Sequence, residues 1–234
     1  MDTHQLCIDV ACFGHFFKKF KIDDMFVLKK YGIVLQRLIE SDVELVRQWR
    51  NDPHIRKNMA YRKHINEAQQ KKWFASINNA YNYYFLIIYQ GEKIGVINAK
   101  NYDPQTRIGE GGIFIWQQRY WDSPVPTLAS LVLLEAVFEQ LDIIDKSVIR
   151  IMSNNIRAIR YNRLLGYVRL PGQEHQTYQF YILTKEDYLR KAARLKRAAH
   201  LYSNDFSEFE SVGSVSALNF PAINAYLERH GNRQ

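Results

Sequence analysis

The stretch from Arg107 to Gly166 constrains the fold more than any other part of the chain. Its pattern predicts a strand, a loop, a long helix, a second strand and a second helix ended by a glycine, over residues 107–116, 117–125, 126–141, 147–152 and 155–165. A strand leading into a helix whose first turn holds Pro and Thr presents helix N-terminal amides to an anionic ligand. We therefore expect this unit to hold the ligand-binding site.

The charge of the chain favours anionic partners. The 32 Lys and Arg residues outnumber the 24 Asp and Glu residues, which gives a net charge of +8 in 234 residues. Such a balance suits nucleic acid, a membrane surface or a small molecule that carries phosphates, and an ordinary basic surface is the alternative. The basic residues are dispersed and form no recognised nucleic-acid motif, so we do not expect a nucleic-acid partner.

The cysteine content indicates a reducing compartment. The two cysteines, Cys7 and Cys12, provide neither a disulfide framework nor a zinc site, and we expect no metal. No apolar run approaches the about 20 residues needed to cross a bilayer. The first five residues carry no Lys or Arg, unlike a secretory signal. We expect a cytoplasmic protein without stable membrane insertion.

The remaining elements predict one α/β (α+β) domain around a mixed sheet. A strand at 32–38 precedes two helices, and three antiparallel strands follow at 83–89, 93–101 and 107–116. A last strand at 176–183 leads into a further helix. Three capping patterns mark helix starts: Ser41 with Glu44, Asn66 with Gln69, and Thr184 with Asp187.

This order resembles the acyl-CoA-dependent N-acyltransferases of the GNAT superfamily, whose sheet is mixed and mostly antiparallel with helices on its faces. Residues 155–167 resemble the family's Asn-x-x-Ala-Ile…Leu-Gly-Phe segment almost position for position. Three other stretches carry the resemblance: 45–51, 110–116 with Tyr120-Trp121 after it, and 127–138. The resemblance covers residues 31–184. We expect this domain to have an N-terminal extension, 1–30, and a C-terminal helical extension, 185–234.

The Trp-Arg-Asn segment at 49–51 and the Tyr-Trp pair are similar to two branches of the superfamily. One acetylates the N-termini of ribosomal proteins, and the other acetylates nucleotide-activated amino sugars, as in pseudaminic-acid synthesis. The resemblance therefore implies transfer from acetyl-CoA to a primary amine. We expect a small-molecule acceptor linked to a nucleotide. A peptide N-terminus and a non-catalytic binding module are the alternatives.

The loop that binds the CoA pyrophosphate in the family departs from its pattern. Both glycine positions hold proline, Pro124 and Pro126, which have no N–H to donate, and Asp122 adds a negative charge. The amides of residues 123, 125, 127 and 128 remain as donors. The resemblance implies cofactor contacts for these residues: Ile113, Ile115, Arg119, Ser123, Val125, Thr127, Asn155 and Asn162.

For the chemistry, Glu110 is the candidate base, with a cross-strand ion pair as the structural alternative. His54 is the second candidate base. Asn162 stands where many family members place a tyrosine that acts as general acid. We expect Asn162 and Tyr161 to orient the thiol, although Tyr161 should point elsewhere if both lie on one helix. The candidate acceptor-binding residues are Arg50, Asn51, His54 and Tyr61, whereas Trp49 is expected in the core.

Overall fold

Within residues 26–57 and 59–213, which the computed structural model describes, nine strands form one sheet. The sheet order is β7-β8-β6-β5-β4-β3-β2-β1-β9, and β5 with β6 is the parallel pair among otherwise antiparallel neighbours. This confirms the predicted mixed, mostly antiparallel sheet. The strands are β1 Val27–Lys30, β2 Ile33–Arg37, β3 Tyr83–Tyr89, β4 Glu92–Asp103, β5 Ile108–Ile115, β6 Lys146–Met152, β7 Val168–Arg169, β8 Tyr178–Thr184 and β9 Glu210–Val212.

Helices cover both faces of this sheet because its buried strands alternate their apolar side chains between two cores. The helices are α1 Val43–Asn51, α2 Pro53–Arg56, α3 Glu67–Ile77, α4 Val125–Glu135, α5 Ile156–Leu165 and α6 Lys185–Ser203. On β3, Phe85 and Ile87 belong to the larger core with α4, α5 and α6, whereas Tyr84 and Leu86 belong to the smaller core with α1, α2 and α3.

Two of the three predicted capping patterns are confirmed. Asn66 and Gln69 form a reciprocal capping box at the start of α3, and the Thr184 side chain accepts from the amide of Asp187. The box predicted from Ser41 is wrong. Residues 40–42 form a short 3-10 turn before α1, and the Glu44 carboxylate binds Arg47 at 2.7 Å instead.

The helix predicted at 126–141 ends its regular part at Glu135 and continues as a π-helical turn, Ala136–Gln140. Glu135 is fully buried, and its carboxylate accepts from the Tyr31 hydroxyl at 2.8 Å. Lys30 and Lys196 lie 3.2 and 3.4 Å from the same carboxylate. This buried cluster joins β1 and α6 to the middle of the domain.

Strands outside the expected domain limits of 31 and 184 belong to the same sheet. β1 pairs with β2 and also with β9, which follows α6. We now propose domain limits of 27 and 212. Most of the expected N-terminal extension and the end of the C-terminal one lie outside the described residues. No helix in the described part of the chain is both long and apolar enough to span a membrane.

Candidate functional site

The pairing of β5 with β6 stops halfway along both strands. Partners run from Ile108 with Lys146 to Gly111 with Ile149, but β5 continues to Ile115 and β6 to Met152. Residues 112–115 of β5 therefore have no partners on the β6 side. Backbone N–H and C=O groups need hydrogen-bond partners, so this free edge is suited to a bound ligand. It includes Ile113 and Ile115, two of the cofactor contacts that the family resemblance implies.

A cavity of about 310 Å³ occupies this opening. Ser130 of α4 and Tyr161 and Asn162 of α5 line it from one face of the sheet. Arg50, Trp73 and Tyr84 line it from the other face. The cavity therefore crosses the sheet, so two ligands can approach each other from opposite faces.

Glycines keep the opening clear where the two strands begin to part. A Cβ at Gly111 would lie 3.1 Å from Cγ2 of Ile149, and one at Gly112 would lie 2.9 Å from Oδ1 of Asn98. Both distances are shorter than ordinary van der Waals contact. A side chain at either position would displace a neighbour that lines the cavity.

Glu110 lies on the cavity wall and also forms the ion pair that was its structural alternative. Its carboxylate is 2.8 Å from Nζ of Lys100, and Nδ2 of Asn101 donates to it at 3.0 Å. Lys100 and Glu110 are register partners on β4 and β5. The arrangement fixes a charged hydrogen-bond acceptor beside the opening.

Tyr161 and Asn162 both line the cavity, so the expectation that Tyr161 points elsewhere is wrong. The side chains of adjacent helical residues differ by about 100° in direction, and the cavity is wide enough for both side chains to line it. Burial raises the pKa of Tyr161 to about 12, and the neighbouring Asn162 and Ser130 side chains act in the opposite direction. Tyr161 therefore keeps its proton at neutral pH and can donate a hydrogen bond.

Asn155 and Asn162 hold their positions through hydrogen bonds within α5. The Asn155 side chain caps the helix by accepting from the amide of Ala158 at 3.2 Å. Nδ2 of Asn162 donates to the Ala158 carbonyl at 2.8 Å. Both residues, which are expected cofactor contacts, also line the cavity.

The loop before α4 satisfies most of its own hydrogen-bond donors. The Ser123 amide and hydroxyl both donate to the Tyr120 carbonyl, and the Val125 amide donates to Oγ of Ser123. The Leu128 amide donates to the Pro124 carbonyl at 2.9 Å. Of the four amides expected to remain, Thr127 alone lacks a hydrogen bond within the described chain. Ser123, Val125 and Thr127 do not line the cavity.

The charged side chains of this loop are also paired. Asp122 accepts two hydrogen bonds from Arg157, at 2.6 and 2.9 Å, which ties the loop to the start of α5. The Arg157 guanidinium lowers the pKa of Asp122. Arg119, an expected cofactor contact, pairs with Glu92. The negative charge predicted at the loop is therefore neutralised within the protein.

Of the four expected acceptor-binding residues, one lines the cavity and three do not. Arg50 lines the cavity. Asn51 instead clamps the backbone of Ile65, accepting from its N–H and donating to its C=O, both at 2.8 Å. His54 and Tyr61 are exposed and do not line the cavity. Trp49 stacks on Trp116, with ring centroids 5.6 Å apart, as expected for a core residue.

Two further side chains belong to the site although sequence analysis did not identify them. Arg150 of β6 lines the cavity and stacks on the ring of Tyr178. Gln70 is buried behind Arg50. Gln70 occupies the apolar stripe of α3, three, four and seven residues before Trp73, Phe74 and Ile77, and a polar residue in such a stripe is a usable signal. Within the described residues, no group of side chains is suited to hold a metal ion.

A family model described as the acetyltransferase (GNAT) domain matches residues 33–168, which is more than half of the chain. No curated protein matches the sequence.

Solved structures share the fold at low sequence identity. One described as apo FdhC, a nucleotide-linked sugar GNAT, is 20% identical, covers 73% of this chain and 97% of its own, and has a TM-score of 0.61. The spermidine N-acetyltransferase from Vibrio cholerae, with CoA and spermine, is 16% identical, covers 68% and 99%, and has a TM-score of 0.58. RimL, a ribosomal L7/L12 acetyltransferase with CoA, is 14% identical, covers 66% and 95%, and also has a TM-score of 0.58.

Proposed function

Because this chain belongs to the GNAT acetyltransferase family, we propose that it transfers the acetyl group of acetyl-CoA to the amino group of a nucleotide-linked sugar. The observation that carries this proposal is the cavity that crosses the sheet at the free end of β5. Such a cavity lets a thioester and an amine approach from opposite faces. The low cysteine content supports the cytoplasm as the expected compartment.

The two ends of the donor fit this chain differently. The free edge of β5 together with Ser130 and Asn155 suits the pantetheine arm and the acyl group. At the start of α4, the Thr127 amide is a free donor for the diphosphate, while the loop amides around it are occupied. Acetyl-CoA, when bound, supplies an activated acetyl thioester. We expect its diphosphate to be held by fewer backbone donors than the family pattern provides.

Three groups of the chain divide the chemistry between them. The backbone N–H groups of Ile113 and Ile115, which point away from β4, donate to the carbonyl oxygen, on which negative charge develops. Glu110 takes the proton that the amine loses as the new C–N bond forms and the C–S bond breaks, directly or through a water molecule. The Tyr161 hydroxyl donates a hydrogen bond to the departing sulfur.

Tyr161 acts as a hydrogen-bond donor and not as the final proton source. Its pKa is about 12, whereas a thiol such as that of cysteine has a pKa of about 8.5. A proton does not move completely from the weaker acid to the thiolate. The hydrogen bond still stabilises the negative charge on the leaving sulfur.

The choice of acceptor rests on the residues that line the cavity on the side of the sheet opposite α4. Arg50 faces the cavity there, and Arg150 adds a second cation at its wall. Two cations suit an acceptor that carries phosphates, as a nucleotide-linked sugar does. The likeness to a nucleotide-linked sugar GNAT agrees with this choice. A peptide N-terminus, as in RimL, is the alternative acceptor.

The test begins with calorimetric titration of the purified protein with acetyl-CoA. Saturable binding is expected, followed by thiol release when UDP-linked amino sugars are added. Acetylation of peptides but not of amino-sugar nucleotides would identify a peptide N-terminus as the acceptor instead. Saturable binding without turnover on either class would favour the non-catalytic module. No binding at millimolar acetyl-CoA would contradict the proposed donor.

A further inference from the structure

We propose that Gln70 positions Arg50 as an uncompensated cation that binds an anionic group, phosphate or carboxylate, on the acceptor. This inference rests on the proposed function and adds the residue that prepares the acceptor side of the same cavity. Gln70 lies on α3, 20 residues after Arg50, and its only role in the described chain is through that arginine.

Arg50 is placed between the cavity and the smaller core. Its guanidinium lies over the ring of Trp73, with Cζ 5.0 Å from the centroid, and it also lines the cavity. Burial lowers the pKa of Arg50, with Tyr84 and Tyr61 acting in the opposite direction, yet an arginine remains charged at neutral pH. Arg50 is partly buried, and a ligand that covers it would have to supply a counter-charge, because charges are costly to bury unpaired.

The protein does not provide that counter-charge. Among the described residues, no Asp or Glu forms an ion pair with Arg50, and its hydrogen-bond partner is Oε1 of Gln70 at 3.3 Å. Glu110, the carboxylate on the cavity wall, is taken by Lys100. The amide oxygen orients the guanidinium without cancelling its charge.

Gln70 itself lacks a complete set of partners. It is 1% exposed, and its Nε2 atom has no hydrogen-bond partner. A buried unpaired amide is destabilising, and a leucine or methionine would fit the apolar stripe of α3 without that cost. Turning the amide over would place its NH₂ against the guanidinium. The orientation of Gln70 is therefore set by Arg50, and the free charge of Arg50 points to an anionic ligand.

The experiment measures binding separately from turnover. Calorimetry compares glucosamine 1-phosphate, the corresponding amino uronic acid and the uncharged methyl glycoside of glucosamine, each with the unmodified protein. Tighter binding of the phosphate than of the carboxylate would identify the phosphoryl group as the anion, and the reverse order the carboxylate. Equal binding of all three compounds would overturn the inference.

Two substitutions then test Gln70. Gln70→Glu supplies a carboxylate to Arg50, and Gln70→Met removes the hydrogen bond while filling the same space. Both should weaken binding of the preferred charged sugar by about 10- to 100-fold and leave the methyl glycoside unchanged. Gln70→Met acts because Arg50 loses a hydrogen bond, and Gln70→Glu because its carboxylate competes with the ligand for the guanidinium. Gln70→Met should keep or raise the melting temperature. Gln105→Glu adds the same charge in an exposed turn as the control.

A purely structural role for Gln70 gives a different result. In that case both variants would weaken all three sugars alike and lower the melting temperature together, which would overturn the inference. Because binding does not require transfer, an inactive protein whose preference for the charged sugar is lost in both Gln70 variants would contradict the proposed function and support the role of Gln70.

Discussion

Lys100 and Glu110 face each other across β4 and β5, with Nζ of the lysine 2.8 Å from Oε1 of the glutamate. Both side chains are about 29% exposed and line the cavity. A solvent-accessible ion pair of this kind contributes about 0 to 1 kcal/mol to stability. It also holds the carboxylate beside the opening, where the proposed mechanism has the amine lose its proton.

We expect Glu110→Gln to lower the turnover number by about 100-fold, because positioned acid–base groups contribute on the order of 10²–10⁴. The KM for acetyl-CoA should change little, since the carboxylate does not hold the donor. Steady-state kinetics checks both constants. Glu174→Gln, which removes an exposed carboxylate that pairs with Arg169 outside the cavity, is the matched control and should retain full activity. Unchanged turnover in Glu110→Gln would remove this residue from the mechanism.

Tyr161→Phe should reduce turnover by about 10- to 100-fold, the loss of one hydrogen bond to a developing thiolate. Since the pKa of Tyr161 is about 12, the unmodified enzyme should keep this contribution up to pH 10. Rate profiles between pH 7 and 10 measure both expectations. Tyr81→Phe changes an exposed tyrosine outside the cavity and serves as the control. A Tyr161→Phe enzyme with full turnover would show that another group stabilises the sulfur.

Pro124→Gly should keep or improve affinity for acetyl-CoA, by up to about fivefold. Pro124 is the N-cap of α4 at φ −65° and ψ −14°, which glycine adopts without strain. The change adds one N–H donor, and a neutral hydrogen bond contributes about 1 kcal/mol net. Calorimetric titration measures the dissociation constant. A loss of tenfold or more would mean that the proline itself shapes the binding loop.

Alkaline pH should destabilise the fold through two of its buried tyrosines. Burial raises the pKa values of Tyr83 and Tyr84 to about 12, against about 10 in the unfolded chain. Between these values the unfolded state binds fewer protons than the native state, so the free energy of unfolding falls as pH rises. Denaturant unfolding at pH 8, 9.5 and 11 should show a declining midpoint above pH 10. A constant midpoint to pH 11 would contradict the buried state of these tyrosines.

Local patterns predicted the fold well and the site less completely. The Asn66 box and the Thr184 cap are set within three residues, and the structure confirms both. The Ser41 box failed because Asp42 is drawn into a 2.8 Å ion pair with Lys93, 51 residues away. Such tertiary contacts leave no local pattern.

In the loop before α4 and on the acceptor side of the cavity, the sequence again predicted local features but not the contacts formed in three dimensions. Two prolines in the sequence predicted an altered loop. The hydrogen bond from the Val125 amide to Oγ of Ser123 depends on a turn geometry that the sequence does not specify. The proposed role of Gln70 depends on its hydrogen bond with Arg50, which lies on a different helix and so is not evident from the local sequence. The strand β9 was missed because its residues are polar, and it forms by pairing with β1.

The buried carboxylate of Glu135 depends on residues outside the segment shared with the family. Residues 33–168 contain Glu135 but none of its partners Lys30, Tyr31 and Lys196. Removing the partners of a buried charge costs about 3–5 kcal/mol, which is a large part of the stability of an ordinary domain. We therefore expect a fragment limited to the shared segment to be much less stable than one that includes β1 and α6.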